Sequence, residues 1–335
     1  MRNYLMPAAA GLLAVMTGFG AAAEDLQVPV ATWGSPNHIN VATFVGKLAE
    51  AAEAESGGTI TVKHYPSGQL AEDADMPVAI PSGKVKLGWV TLNGWSGMVQ
   101  DAKIADAPTG LTMDQMAAAT DGPDGIKAVL GGELAGKGVK LLAVTDLGPT
   151  VIVTNEKVLT PADIAGKKIR VYSEGTAALA QALGAAPVKL PFADVYTALQ
   201  RGTIDGAITG FQGVQSQKMY EVADFLLVPA SFTGTGYQGW VANLDWWEGL
   251  PATQRAALEK AIRAAELHSR AKIIEDRQNL AAQYREKGMT VTELTPDMPA
   301  YAAWVEATRP LMEEAERTLS AEVVAPVKRQ QTLAN

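Results

Sequence analysis

The clearest candidate for ligand chemistry is an arginine in the segment Lys168–Tyr172 (KIRVY), which reads as a strand. Side chains alternate along a strand, so Arg170 points away from the face that carries Ile169 and Val171. It therefore reaches either solvent or a cleft. In a cleft, a guanidinium suits a carboxylate because its planar fork matches the two oxygens. The spacing alone leaves both alternatives open.

Aromatic side chains at or just beyond predicted strand ends are the second group of candidates. In two-domain α/β proteins, ligands bind at the carboxyl ends of strands, where loops of both domains meet. Core packing is the alternative for each ring. It is favoured for Trp89 and Trp240, which lie inside strands, and is weighted about equally for Trp33 and Trp95. The full set comprises Trp33, Trp89, Trp95, Phe192, Phe211 and Trp240.

Motifs for metal, nucleophile and phosphate chemistry are missing or incomplete. There are no cysteines, and the histidines have no metal-ligand spacing. The segment Gly131–Lys137 (GGELAGK) matches a phosphate loop by letter, but Gly138 replaces the hydroxyl residue that would bind magnesium. The segment Gly234–Gly239 (GTGYQG) leads into a strand, whereas a pyrophosphate needs a helix N-terminus. We predict a protein without metal or cofactor that is not an enzyme. An exported enzyme acting on small acids through scattered carboxylates is the alternative from a different class.

Length and charge limit the possible partners. The chain has 335 residues, 28 Lys and Arg against 36 Asp and Glu, and a net charge of −8. Phosphate backbones require clustered basic residues, so the acidic composition argues against nucleic acid. The length suggests two domains.

The first 23 residues differ from the rest of the chain. They carry one charge, Arg2, then an apolar stretch and Ala21-Ala22-Ala23, which fits a signal-peptidase site. We predict a signal peptide at residues 1–23, a mature chain that begins at or near Glu24, and a periplasmic location. A buried or amphipathic first helix is the alternative.

Apolar periodicity predicts two α/β units of similar size. Asn37 or Asn40 is predicted to cap the first helix. A stretch without Gly or Pro, residues 252–287, predicts one long helix across both units, with a possible break near Ser269. The predicted strands are Leu26–Trp33, Thr59–Tyr65, Val85–Leu92, Val139–Thr145, Thr150–Thr154, Ile169–Tyr172, Val188–Leu190, Ile204–Ile208 and Tyr237–Asn243. The predicted shorter helices are Val41–Glu55, Met76–Ile80, Thr176–Leu183 and Asp194–Gln200.

Four motifs resemble those of DctP-type solute-binding proteins of tripartite ATP-independent periplasmic (TRAP) transporters. The resemblance covers nearly all of the mature chain. It implies a two-lobed α/β periplasmic binding protein (type II-like), with a long helix spanning both lobes. Such a protein closes around its ligand and hands it to a membrane permease driven by an ion gradient. The motifs are YPSGQL at 65–70, TPADIAGKKIR at 160–170, LPFADVYTALQRGTIDG at 190–206 and WEGLP at 247–251.

The resemblance also implies which residues bind the ligand, and this chain differs from other family members at several of those positions. The family's carboxylate-binding arginine falls on Arg170. Many members read DGQENP where this chain has DGAITG at 205–210, which places Thr209 at the ligand-contacting Asn. Members with a metal-assisted site carry Glu-Trp where this chain has Ile208-Thr209, so we predict no metal. Further arginines of some members align with Gly94 and Thr150.

The pocket is therefore predicted to be less cationic and more aromatic than in those members. We predict a small organic acid as the ligand, a monocarboxylate with an apolar or aromatic body. A sugar acid or a zwitterionic compatible solute is the alternative, and an ABC-type binding protein is the alternative within the same functional class. The predicted ligand-binding residues are Arg170, Thr209, Trp33, Asn37, Thr91, Trp95, Thr150, Phe192 and Phe211.

The predicted lobes divide the chain at its crossing points, near Gly148 and Gly234. The first lobe comprises residues 24–147 and 235–274, and the second comprises 148–234 and 275–335. The predicted partners are the small acid and the TRAP permease subunits, and the protein is predicted to be a monomer.

Overall fold

The computed structural model describes residues 25–109, 111, 113–145, 149–229, 232–234, 236–295 and 297–333, without the side chain of Gln278. The predicted signal peptide, Glu24 and Gly148 lie outside these residues. Within the described ranges, no helix is both long and apolar enough to cross a membrane.

The elements alternate as the sequence predicts, and the bounds agree to within a few residues. The strands are β1 Leu26–Thr32, β2 Ile60–Tyr65, β3 Leu87–Thr91, β4 Val139–Thr145, β5 Thr150–Thr154, β6 Lys168–Val171, β7 Ala186–Lys189, β8 Gly206–Gly210, β9 Phe225–Val228, β10 Gln238–Asn243 and β11 Thr290–Glu293. The helices are α1 Ile39–Ser56, α2 Met76–Ala79, α3 Met113–Thr120, α4 Ile126–Ala135, α5 Pro161–Ile164, α6 Glu174–Ala182, α7 Val195–Gln200, α8 Phe211–Ser216, α9 Leu244–Glu248, α10 Ala252–Glu286, α11 Pro299–Thr318 and α12 Ala321–Leu333.

Two sheets define two lobes, which confirms the predicted α/β class. The first sheet has the order β2-β1-β3-β10-β4, with β10 antiparallel to both neighbours. The second has the order β11-β9-β5-β8-β6-β7, with β5 antiparallel to β8 and β9. β10 and β5, which each follow a crossing from the other lobe, run antiparallel to their neighbours, whereas β11, which follows the crossing made by α10, runs parallel to β9.

The long helix α10 is continuous, so the possible break near Ser269 is wrong. Ser269 is fully buried, and its hydroxyl lies 3.0 Å from the hydroxyl of Thr43 on α1. Leu258 and Ile262 pack into the core of the first lobe, and Tyr284 packs into the core of the second. At 1.5 Å per residue the helix is about 50 Å long, enough to brace both lobes.

A buried carboxylate fastens α10 to the end of β4. Glu266 accepts hydrogen bonds from the Val144 N–H at 3.1 Å, from Lys127 at 3.0 Å and from Arg263 at 2.7 Å. Arg270 donates to the Val144 carbonyl through Nε at 3.1 Å and Nη2 at 3.0 Å. Both polar groups of one peptide residue are therefore bound by one helix.

The N-cap of α1 also differs from the prediction. The N-cap of α1 is His38, and neither Asn37 nor Asn40 caps it. The N-cap position falls between the two candidates, because the His38 backbone is extended and the helix begins at Ile39.

The C-terminal helix also differs from its predicted lobe. Leu319, Val323 and Val327 join the core cluster of the first lobe, which contains Met116 of α3 and Leu130 of α4. The amphipathic pattern of α12 requires an apolar partner but does not specify which lobe provides it. The second lobe thus ends near Thr318, before α12.

Candidate ligand-binding site

The two lobes meet at an aromatic contact beyond the strand ends, which we call the aromatic junction (Trp33, His38 and Trp89 with Arg170 and Phe192). Trp33 follows β1, and its ring lies edge-to-face against Phe192, which follows β7, with centroids 6.5 Å apart. Both rings follow the carboxyl ends of strands, as expected for a ligand site between lobes.

Arg170 is a buried cation in the second-lobe half of this junction. It is 4% exposed, its Nε donates to the Leu190 carbonyl at 3.0 Å, and its Nη1 lies 3.4 Å from the Ile208 carbonyl. Its guanidinium carbon lies 5.9 Å from the centre of the Phe192 ring. Burial lowers the pKa of Arg170 to about 10, so it stays charged at neutral pH.

No carboxylate of the described residues forms an ion pair with Arg170. This differs from Glu266, the buried carboxylate on α10, which has three cationic partners. A buried charge is normally paired, because removal from water is costly. Arg170 is therefore placed to receive an anion from a bound molecule.

Strand alternation separates the predicted second-lobe residues onto two faces. Arg170 points opposite to Ile169 and Val171, which pack under α6 and α11. Thr209 alternates with Ile208 of that cluster and so shares the face of Arg170. Thr150 pairs with Gly210 but alternates with Val151, so it points to the opposite face.

The first-lobe half of the junction is a stack of rings. Trp33 lies parallel to Trp89, with centroids 4.5 Å apart, and His38 is tilted against Trp89 at 5.1 Å. Burial lowers the pKa of His38 to about 4, so its ring is neutral near pH 7. Trp33 Nε1 and His38 Nδ1 are buried without hydrogen-bond partners within the described part of the chain.

Three of the predicted residues lie elsewhere. Trp95 packs with Leu92 and Val99 in the first-lobe core, and Phe211 packs against Tyr284 in the second-lobe core. These two positions favour core packing. Asn37 is exposed in the turn before α1, while its neighbour His38 takes the buried place.

Thr91 occupies an intermediate position at the end of β3. Its hydroxyl donates to Gln238 at 3.3 Å, and its N–H donates to Asp73 at 2.9 Å. Thr91 alternates with Val90 and so shares the face of Trp89. It is 9% exposed, and the structure keeps it as a candidate at the inner edge of the junction.

Sequence reasoning missed His38 and Tyr172 at this junction and Gln212 beside it, and the Tyr172 ring centre lies 5.7 Å from the guanidinium carbon of Arg170. Gln212 follows Gly210 and Phe211 at the end of β8, and it is 3% exposed. A polar residue in the otherwise apolar run Gly210–Val214 (GFQGV), shortly after a predicted strand, was the signal available for Gln212. For His38, the signal was its place between a predicted strand and a predicted helix.

The lobes meet a second time on the other side, at what we call the carboxylate junction (Asn93 and Asp106 with Ser173 and Gly175). One carboxylate oxygen of Asp106 accepts hydrogen bonds from the Asn93 amide and from the Ser173 hydroxyl. Burial raises the pKa of Asp106, and these two hydrogen bonds oppose that rise. A Cβ on Gly175 would lie 2.7 Å from the Asp106 Cβ, so glycine permits this close approach.

A cavity of about 340 Å³ opens beside the carboxylate junction. The charged side chains around it are Lys103, Asp106, Glu174 and Glu314. An excess of carboxylates repels an organic anion, so this cavity does not suit an acid.

The arrangement of a buried guanidinium beside aromatic rings can bind an anion. No group of three or more His, Cys, Asp or Glu side chains in the described residues is placed to hold a metal ion. Gly131 and Gly132 lie inside α4, and the GTGYQG segment leads into β10, so neither forms a phosphate loop at the start of a helix.

Comparisons with known proteins agree with this picture. The model of the family described as bacterial extracellular solute-binding protein, family 7 (DctP), matches residues 30–318. The C4-dicarboxylate-binding periplasmic protein DctP of Rhodobacter capsulatus is 31% identical over 288 residues, 84% of each chain. The 2,3-diketo-L-gulonate-binding periplasmic protein YiaO of Escherichia coli is 31% identical over 291 residues, again 84% of each.

Among solved structures, a TRAP periplasmic solute-binding protein from Ochrobactrum anthropi superposes with a TM-score of 0.82 at 27% identity. The match covers 93% of this chain and 96% of that one.

Proposed function

The chain belongs to the bacterial extracellular solute-binding protein family 7, the DctP family, and from this premise we propose that it captures a monocarboxylate with an apolar or aromatic body for a TRAP permease. Proteins of this family are periplasmic solute receptors, not enzymes. In this proposal the protein is exported, loses residues 1–23 and acts as a monomer.

The observation that carries the proposal is the unpaired buried charge of Arg170. A carboxylate that enters the aromatic junction would neutralise it with two parallel hydrogen bonds. The two relatives of equal identity are named for different solutes, a C4-dicarboxylate and 2,3-diketo-L-gulonate, and both are organic acids. The relatives thus support an organic acid as the solute. The rest of the solute molecule must be inferred from the residues at the junction.

The local residues support one carboxylate and an apolar body. Gly94 and Thr150 supply no second cation. Trp33 and Phe192 offer ring surface, and burial keeps His38 neutral. A second carboxylate would meet no opposite charge here. Ring surface also stacks on sugar rings, so a sugar acid is the second candidate.

Solute binding is proposed to bring the lobes together. Arg170 and Phe192 belong to one lobe and Trp33 to the other, so a solute that contacts all three stabilises the closed arrangement. The permease would then bind the closed form of the protein.

Titration calorimetry on Arg170→Ala tests the proposal, with the acid that co-purifies as ligand, identified by mass spectrometry. Loss of the arginine strands a buried anion, which costs about 2–5 kcal/mol, or roughly 30- to 4,000-fold in Kd. Arg170→Lys should recover only part, because an ammonium lacks the fork.

Arg201→Ala is the matched control. Arg201 is exposed at the end of α7, and its loss should leave Kd unchanged. If Arg170→Ala folds normally and binds within about threefold of the wild type, the solute is not held there as a carboxylate.

A further inference from the structure

The second residue of α8 is a buried amide side chain without a partner. Gln212 is 3% exposed, and neither its Oε1 nor its Nε2 has a hydrogen-bond partner in the part of the chain that the structure describes. Buried polar groups are nearly always paired, with protein, water or a bound molecule. Two orphaned atoms on one buried side chain therefore indicate a missing partner.

Gln212 lies two residues after the end of β8, beside the aromatic junction. The N–H of Phe211 donates to the Pro149 carbonyl at 3.0 Å, which fixes the start of α8 at a crossing between the lobes. A Cβ on Gly213 would lie 2.8 Å from Thr209 Oγ1 and 3.3 Å from a Phe192 ring carbon. The residue after Gln212 thus packs directly against two residues at the junction.

We propose that Gln212 determines specificity by binding a neutral polar group of the solute while Arg170 binds its carboxylate. The inference rests on the proposed function. A primary amide offers donors on nitrogen and an acceptor on oxygen. Its complement is a group that also does both, such as a lactam or a hydroxyl. The solute class is therefore a monocarboxylic acid that carries a lactam or hydroxyl on its apolar body.

A neighbouring amide on the same helix provides the comparison. Gln215 lies one turn after Gln212 and is only half-buried, and of its two side-chain polar atoms only Oε1 is buried without a partner. Removing the amide of Gln215 alters the helix in the same chemical way, one turn further along α8.

Two pairs of acids test the proposal, each matched in shape. Pyroglutamate and cyclopentanecarboxylate differ by the lactam, and lactate and propionate differ by the hydroxyl. A site built to bind a polar group rejects the analogue that lacks it. We expect the wild type to prefer the polar member of at least one pair by about tenfold or more.

Gln212→Met should reduce that preference to within about threefold by weakening only the polar member, because Met keeps the length of the side chain and removes its hydrogen bonds. Gln215→Met should keep the preference of the wild type. Calorimetry gives each Kd, and thermal unfolding confirms that each variant is folded.

Several outcomes would overturn the inference. They are a wild type without preference in either pair, no binding of any of the four acids, or a Gln212→Met variant that retains the preference. Equal weakening of both members of a pair would show that Gln212 only supports the fold.

Arg170→Gln separates the two proposals. It should weaken all four acids alike and leave the preference intact. If instead it binds them as the wild type does, the proposed carboxylate site fails, whatever the Gln212 variant shows.

Discussion

The lobes touch at two places that are built in opposite ways. At the carboxylate junction, protein groups satisfy one another across the gap, since Ser173 of one lobe donates to Asp106 of the other. At the aromatic junction, polar groups lack partners among the described residues. Arg170 has no anion, and Trp33 Nε1 has no hydrogen-bond acceptor. The carboxylate junction is only partly satisfied, because Asp106 Oδ1 is buried without a partner among the described residues, whereas the aromatic junction leaves a whole charge unpaired. We infer that the first sets how closely the lobes approach and the second sets what they enclose.

The largest expected effect lies at the aromatic junction. Trp33→Ala removes the ring that spans from Trp89 to Phe192. Buried aromatic anchors of this kind carry about 2–4 kcal/mol of binding, so Kd should rise roughly 30- to 1,000-fold by calorimetry. Trp246→Ala, on the part-exposed face of α9, is the control and should bind normally. Equal losses in both variants would remove the distinction between the two junctions.

His38 tests whether the aromatic junction remains dry. Its pKa is about 4 in the folded protein against 6.5 ordinarily. As pH falls below 6.5 the unfolded chain takes up a proton and the folded protein does not. The free energy of unfolding should therefore decline between pH 6.5 and 4, by about 3 kcal/mol in total.

Urea unfolding at several pH values measures this decline. His38→Asn, which places a residue type favoured at N-caps there and cannot titrate, should show a flatter curve. A wild-type curve as flat as that of His38→Asn would mean that water reaches the ring.

Gly175 tests the approach of the lobes at the carboxylate junction. In Gly175→Ala the new methyl would overlap the Cβ of Asp106 at 2.7 Å. Overpacking costs about 1–3 kcal/mol, so solute Kd should rise roughly 5- to 150-fold. The free energy of unfolding should change less, because the lobes can stay apart.

Gly132→Ala is the control, since nothing lies within 4 Å of its added Cβ. Small-angle scattering with solute should show a larger radius of gyration for Gly175→Ala than for the wild type. Equal radii and equal affinities would mean that the carboxylate junction does not limit closure.

Asp106 should have the smallest effect on the free energy of unfolding, and the pH dependence of that effect has the opposite sign to that of His38. Burial raises its pKa, so the folded protein takes up the proton before the unfolded chain does. Relative to Asp106→Asn, the wild type should gain free energy of unfolding as pH falls from the raised pKa towards the ordinary value near 3.8. Parallel urea-unfolding curves for the two proteins would contradict a buried, titrating carboxylate.

The same two junctions show how far the sequence could predict the molecule. Local pattern was enough for the strands, for α10 and for the face of Arg170, because alternation and helix propensity act over neighbouring residues. It failed where the partner is distant in sequence. The pattern of α12 did not specify its lobe, and an aromatic residue at a strand end could not be assigned to core or cleft, so Phe211 and Trp95 were placed in the site.

A shift of one residue explains the error at Asn37. The turn after β1 exposes Asn37 and buries His38, and the difference depends on the ring of Trp89, which lies about 50 residues away. Asp106 and Gln212 were missed for a related reason. Burial of a polar side chain depends on what covers it, and the second lobe covers Asp106.

The clamp of α10 on Val144 has a mechanical consequence. Because Glu266 and Arg270 bind both the N–H and the carbonyl of Val144, the backbone at the end of β4 is fixed to α10. We infer that the end of β4 moves with α10 as one rigid body. Because α10 also packs Tyr284 into the core of the second lobe, a rotation of one lobe against the other must bend this helix or slide it against one of the two cores.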